Sequence, residues 1–215
     1  MNKPKIIVTG GAGFIGSHTC EQLIHAGCDV MAIDDLSTGH LSNLSELTGD
    51  SGLRFEESDV AELDALNRLA ESFRPDAIVH LAALVSVPAS VQDPNLNFRQ
   101  NVLGTHSVIE AARRHSVGRI VFASSAAIYG DEPESPLKES SRKRPLSPYG
   151  AAKLASESLL EGAAASFGLS VVANRYFNVY GPKQDPHSPY SGVISIFLDR
   201  LQKQQGVTIF ATSPT

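Results

Sequence analysis

The run KIIVTGGAGFIG, residues 5–16, leaves this chain few folds to choose from. Residues 5–9 read as a short buried strand, and residues 14–26 follow a helical pattern that stops at Gly27. Between them lie glycines at 10, 11, 13 and 16, which fit GxGxxG and GxxGxxG equally well. Either way the physics is the same. Glycines permit a tight turn and close backbone approach, while a helix N-terminus presents unpaired N–H groups to an anion. Gly10, Gly13, Phe14, Ile15 and Gly16 are therefore candidates for holding a pyrophosphate. The alternative is a glycine-rich turn with no ligand, which the strand–turn–helix context disfavours.

The same alternation continues. Apolar runs at 29–33, 53–57, 76–80, 119–123, 170–174 and 207–210 read as strands. Helical patterns cover 61–73, 94–115, 147–167 and 193–204. Short apolar strands separated by helices imply a parallel sheet covered on both faces, wound right-handed. The expected fold is α/β, a Rossmann-type doubly wound sheet of about seven strands. Ligands should then lie beyond the carboxyl ends of the strands. The segment 131–148, rich in Pro, Ser and charge, reads as a surface loop.

About 20 residues past the glycines, strand 2 ends in Asp34 and Asp35, where the motif expects an acid on the adenosine ribose. A carboxylate there accepts ribose hydroxyls and repels a 2′-phosphate, which favours NAD over NADP. Asp34 comes first off the strand; Asp35 could instead cap the next loop. Asp59, followed by Val60, could meet the adenine or cap a helix.

Composition excludes several classes. A net charge of −5 argues against a nucleic-acid binder, and the one basic run, residues 142–144, reads as solvated loop. Cys20 and Cys28, with no CxxC or Cys/His cluster, exclude a disulfide scaffold and a zinc site. The longest apolar run, 77–87, is well short of the ~20 residues a membrane span needs. A cytoplasmic protein without membrane or metal is the expectation.

In SPYGAAK, residues 147–153, Tyr149 and Lys153 stand one helical turn apart. A phenol normally ionises near pH ~10, and a neighbouring ammonium would lower that value toward a usable base. The other four tyrosines lack a lysine at that offset. On its own the pairing fits two surface residues as well as a site.

TGGAGFIGSH (9–18), the acid pair at 34–35, HLAA (80–83), Asn101, SSAAIYG (124–130), YGAAK (149–153) and NRYFNVYGP (174–182) occur in one order. In that order the chain resembles the extended short-chain dehydrogenase/reductase family, and within it the NAD-dependent sugar-nucleotide epimerases. The resemblance implies that Leu81, Ala82 and Ala83 pass beside the nicotinamide half of NAD and that Asn101 steadies the site. It makes Tyr149 the base, Lys153 the residue that holds the nicotinamide ribose and lowers the tyrosine pKa, and Ser125 the catalytic hydroxyl. Phe177 would lie by the nicotinamide and Asn178 by the substrate diphosphate. Ser125 could also be an ordinary post-strand hydroxyl, and Asn178 a core-edge residue.

Related dehydratases and decarboxylases carry an acid between the catalytic Ser/Thr and the next Tyr. Here Ala126 and Ala127 occupy those positions, which disfavours elimination. Residues 82–91 and 174–194 look most like UDP-hexose 4-epimerases, with Ser86 and Val87 facing the sugar; tolerance of N-acetyl sugars stays open. The resemblance also implies a UDP-sugar partner and a homodimer through two long helices. After residues 207–210 the family continues with a Gly-Asp-Gly turn and an Arg-Asp pair, whereas this chain ends ATSPT. The expected organisation is an NAD-binding domain at 1–180 and, at 181–215, the start of a substrate-binding region that is mostly missing through truncation.

Overall fold

The computed structural model describes residues 3–47, 52–133, 135–185 and 193–207. Strand β1 (Lys5–Thr9) leads through the glycine turn into α1 (Phe14–His25), and β2 (Asp29–Asp34) follows. A 3-10 helix (Leu41–Leu47), β3 (Leu53–Glu57), α2 (Leu63–Phe73) and β4 (Ala77–His80) complete the first half. Next come α3 (Val87–Gln92), α4 (Pro94–Asn97), a π-helical turn (Phe98–Leu103) and α5 (Gly104–Arg114). The rest is β5 (Arg119–Ser125), a 3-10 turn (Ala126–Ile128), α6 (Pro148–Phe167), β6 (Ser170–Tyr176) and α7 (Val193–Gln202). The chain divides into two units, Met1–Phe177 and Asn178–Thr215.

The sheet has the order β3-β2-β1-β4-β5-β6, and every neighbouring pair is parallel. Winding runs outward from β1 to β3, returns to the centre at β4, and runs outward again. The reversal opens a crevice beyond β1 and β4, where such sheets bind ligands. Alternate residues serve opposite faces, as the pleat requires. Ile7, Met31, Ile33, Ile78, Ile120 and Phe122 pack with α2, α5 and α6. Val8, Val30 and Ala32 pack with α1 and Leu44 on the other side.

Two expectations change. The helix expected over 94–115 runs from Pro94 to Arg114 without a gap, but its turn at Phe98–Leu103 is π-helical, and the short α3 precedes it. Ser86 and Asp93 each accept a backbone N–H as N-caps, from Ala89 and Leu96, and a proline opens each short helix. Among the described residues the sheet has six strands. Of the seventh expected strand, at 207–210, residues 208–210 lie outside the described residues.

Candidate active site

The glycine turn is set by contacts that only glycine permits. Gly10 has φ +69°, and a Cβ there would sit 2.8 Å from the Ala82 nitrogen. A Cβ on Gly16 would lie 1.9 Å from the Gly10 carbonyl oxygen, so α1 packs directly on the turn. Gly13 is different. It occupies the N-cap of α1 at φ −74°, ψ 175°, and an added Cβ would find only the Gly10 oxygen, at 3.2 Å. No side chain caps α1 and its first turn holds no acid, so Phe14, Ile15 and Gly16 stand at a helix end free to take an anion.

Asp34 closes β2 beside this cradle, buried. Its Oδ2 accepts the Ala12 N–H at 3.0 Å and its Oδ1 the Leu36 N–H at 2.9 Å. Burial pushes its pKa up, against the pull of those bonds. Asp35 accepts both the N–H (3.0 Å) and the hydroxyl (2.6 Å) of Ser37, and so caps the following loop. Asp59 accepts the Ala61 N–H at 2.8 Å and pairs with Arg99, which also binds Glu62 at 2.6 Å. Val60 is buried, facing Gly104.

Leu81, Ala82 and Ala83 leave β4 half-buried at the crevice. Asn101 lies beneath, within the π-helical turn. Such turns recur at functional sites. Its Nδ2 donates to the Leu84 carbonyl (3.1 Å) and to Asn97 Oδ1 (2.8 Å), while its own Oδ1 is buried with no partner among the described residues.

Helix α6 carries the pair singled out in SPYGAAK. Ser147 caps it by accepting the Gly150 N–H at 3.1 Å, and Pro148 opens it. Tyr149, Lys153, Ser156 and Leu160 form one buried face, so the pair does not lie on a solvent surface. Gly150 lets the helix close on the 3-10 turn, since a Cβ there would lie 2.6 Å from the Ala127 oxygen. That contact sets Tyr149 near Ser125, whose hydroxyl works against the rise in the phenol's pKa. Ser125 Oγ also accepts the Ala127 N–H at 3.1 Å. Burial raises the Tyr149 pKa, opposed by the Ser125 hydroxyl.

Lys153 is buried, and its Nζ donates to the Ala123 carbonyl at 2.8 Å. The ammonium sits 4.8 Å from the centroid of Phe122 and 5.9 Å from that of Tyr149. Burial lowers its pKa to about 7. The expected lowering of the tyrosine pKa by this lysine is not seen here, because desolvation outweighs the other influences on the phenol.

Ser86 is buried as the cap of α3, while Val87, at the start of α3, is exposed. Phe177 is exposed at the end of the first unit, and Asn178 begins the second. Two features of the site went unread in the sequence. Ser90, fully buried, accepts the Tyr149 N–H at 3.1 Å and donates to the Val87 carbonyl at 2.7 Å, which ties α3 to the catalytic helix. Arg175 makes a two-pronged pair with buried Glu157 (3.0 and 2.9 Å) and donates to Tyr129 Oη at 2.8 Å. Burial raises the Glu157 pKa, but the bonds from Arg175 outweigh it and leave the carboxyl lowered. No sequence spacing couples these two, which come from α6 and β6.

These residues fit NAD. An uncapped helix end faces the position where a Gly13 Cβ would project, a carboxylate closes β2, and an orphaned carboxamide oxygen and a buried amine line the inner half.

Comparison with known proteins agrees. A model of the NAD dependent epimerase/dehydratase family matches residues 6–213. The UDP-glucose 4-epimerase of Lacticaseibacillus casei is 39% identical over 198 residues, 90% of this chain and 58% of that protein. A crystal structure of the Thermotoga maritima UDP-glucose 4-epimerase with UDP-glucose superposes at TM-score 0.90, with 38% identity over 96% of this chain and 66% of that one. The Thermus thermophilus UDP-glucose 4-epimerase complex with NAD gives 0.87, with 43% identity over 96% and 65%. The chain thus spans roughly three-fifths to two-thirds of the length of these relatives. On this evidence the chain belongs to the NAD dependent epimerase/dehydratase family.

Proposed function

We propose that this protein inverts C4 of a UDP-hexose, interconverting UDP-glucose and UDP-galactose or their N-acetyl forms, through a 4-keto sugar. The observation that carries the reading is that Tyr149 and buried Lys153 share one face of α6, the Lys153 ammonium 5.9 Å from the tyrosine ring, with Ser125 at the carboxyl end of β5 beside the phenol. Gly10, Gly13, Phe14, Ile15 and Gly16 hold the NAD diphosphate, Asp34 its adenosine ribose, and Asn101, Lys153 and loop 81–83 its nicotinamide half. NAD held by these residues would supply the hydride acceptor and donor for C4. Tyr149 removes the proton of the 4-hydroxyl and later gives it back. Ser125 donates to the oxygen as it becomes a carbonyl. Lys153 places a charge behind the phenol whenever it is protonated. Ala126 and Ala127 offer no acid or base for elimination, which separates this reading from a dehydratase.

Ser86, Val87 and Asn178 serve the nucleotide sugar in this account, with Phe177 on the nicotinamide. Residues 181–215 form the start of a substrate-binding region. The protein works in cytoplasmic carbohydrate metabolism; among the described residues, no helix is long and apolar enough to cross a membrane. Exposed Leu96, Phe98 and Leu103, with Leu159 and Phe167 on α6, support a helix-mediated homodimer. Sedimentation velocity reads that directly, and a monomer at all concentrations contradicts it.

The experiment has two arms. Heat-denatured protein is expected to release NAD into the supernatant, and native protein to convert UDP-galactose into UDP-glucose. NAD without conversion leaves a silent NAD-binding chain; neither result supports the proposal.

A further inference from the structure

Beneath the cofactor loops runs a buried polar string that the proposed chemistry does not use. It comprises Thr9 at the end of β1, His80 at the end of β4, Thr105 in α5 and Ser156 in α6. Thr9 Oγ1 lies 2.8 Å from His80 Nδ1, and His80 Nε2 lies 3.2 Å from Thr105 Oγ1.

The protons follow by elimination. Thr105 gives its one hydroxyl proton to the Asn101 carbonyl, at 2.7 Å. It can therefore only accept from the imidazole, so Nε2 carries the hydrogen. In a neutral ring Nδ1 is then bare, and it accepts the Thr9 hydroxyl. With that proton committed, Thr9 Oγ1 turns its lone pairs to the N–H groups of Leu81 and Ala82, both at 3.2 Å. Ser156 donates to the same Asn101 carbonyl at 3.1 Å. Only one direction of donation satisfies every member. Burial, with the charge of Lys153, keeps the ring neutral by lowering its pKa to about 3. Phe122 stacks on His80, with ring centroids 5.6 Å apart, and carries Lys153 above it.

The string spans the inner half of the crevice. At one end it fixes the loop 81–83, which packs on the glycine turn at Gly10. At the other it holds the π-helical turn with its Asn101 carboxamide, and the helix that carries Lys153. We propose that His80 is a positioning residue of the cofactor site: as an Nε2–H imidazole it locks loop 81–83 to the Asn101 turn. The proposal rests on the reading of that loop as cofactor-binding. A histidine that merely satisfies the core would affect stability and leave NADH affinity alone.

The test uses the whole chain and NADH. Long-range proton–nitrogen spectra of histidine-labelled protein, assigned by the signal lost in His80→Gln, should show an Nε2–H ring that does not titrate from about pH 5 to 9. An Nδ1–H ring, or one that titrates in that range, overturns the proposal, whether or not the Thr105 variants fold. Fluorescence titration should show Thr105→Val binding NADH about tenfold more weakly, the loss of roughly one hydrogen bond. Thr105→Ser, which keeps the hydroxyl, should restore binding. Folded Thr105→Val that binds NADH as wild type does overturns the proposal. A wild type that binds no NADH defeats the cofactor reading itself, and with it the positioning role, even if the tautomer is as stated.

Discussion

Gly13→Ala and Gly16→Ala are expected to fail in opposite ways. At Gly16 the new Cβ would lie 1.9 Å from the Gly10 oxygen and 2.9 Å from the Gly11 Cα, so the turn must open. Overpacking of that kind costs about 1–3 kcal/mol, and a protein of this size loses roughly 2–4 °C of Tm per kcal/mol. Gly16→Ala should therefore melt several degrees lower. At Gly13 the nearest atom stands 3.2 Å away and the backbone, φ −74° and ψ 175°, suits alanine. Restricting the unfolded chain adds about 0.4–1 kcal/mol at such a site, which offsets the slight crowding, so Tm should stay close to wild type. The methyl group would nonetheless stand where the diphosphate must meet the α1 N-terminus. Losing one charge-assisted hydrogen bond there is worth about 1.5–3 kcal/mol, or roughly 10- to 100-fold in NADH affinity. Thermal melts and NADH fluorescence titrations of both variants read the contrast. A Gly13→Ala protein that keeps its Tm and binds NADH as tightly as wild type would refute the assignment of this turn as the diphosphate cradle.

Lys153→Met probes the buried amine. An unfolded lysine keeps its proton to about pH 10.5, whereas the folded one keeps it to about 7, so stability rises with pH between those values. The burial penalty is fully present below pH 7, and Lys153→Met should raise Tm there, with the gain shrinking to nothing as the pH approaches 10.5. A gain that is flat with pH contradicts the assignment. Arg175→Met strands the Glu157 carboxylate, and urea denaturation should show a loss of about 3–5 kcal/mol. Arg175→Met combined with Glu157→Met should recover much of that loss; equal losses in the single and double variants would show that the pair is not the cause.

The strand–turn–helix start, Asp34 and the first six strands of the parallel sheet were legible because each is written in a local run of residues. Tyr149 and Lys153 were legible as a pair but not as a buried face; the 149, 153, 156, 160 spacing that buries them needed the sheet beneath. The detail between residues 87 and 114 was partly legible. Ser86 before Pro88 and Asp93 before Pro94 are cap-and-proline starts, whereas the π-helical turn has no local signature. The His80 string could not be read at all, since its partners at Thr9 and Thr105 stand 71 and 25 residues away. Burial governs the phenol where the spacing alone points to Lys153. Proximity along a helix says nothing of desolvation, and here desolvation raises the phenol's pKa.

The central claim is that Tyr149 moves the proton in an NAD-dependent inversion at C4. Conversion of UDP-galactose to UDP-glucose, followed by chromatography, compares wild type with Tyr149→Phe, which retains the ring and loses only the hydroxyl. General acid–base catalysis contributes about 10²–10⁴-fold, so the variant should be slower by at least about 100-fold. Equal rates in the two proteins, or no conversion by the wild type, would contradict the account.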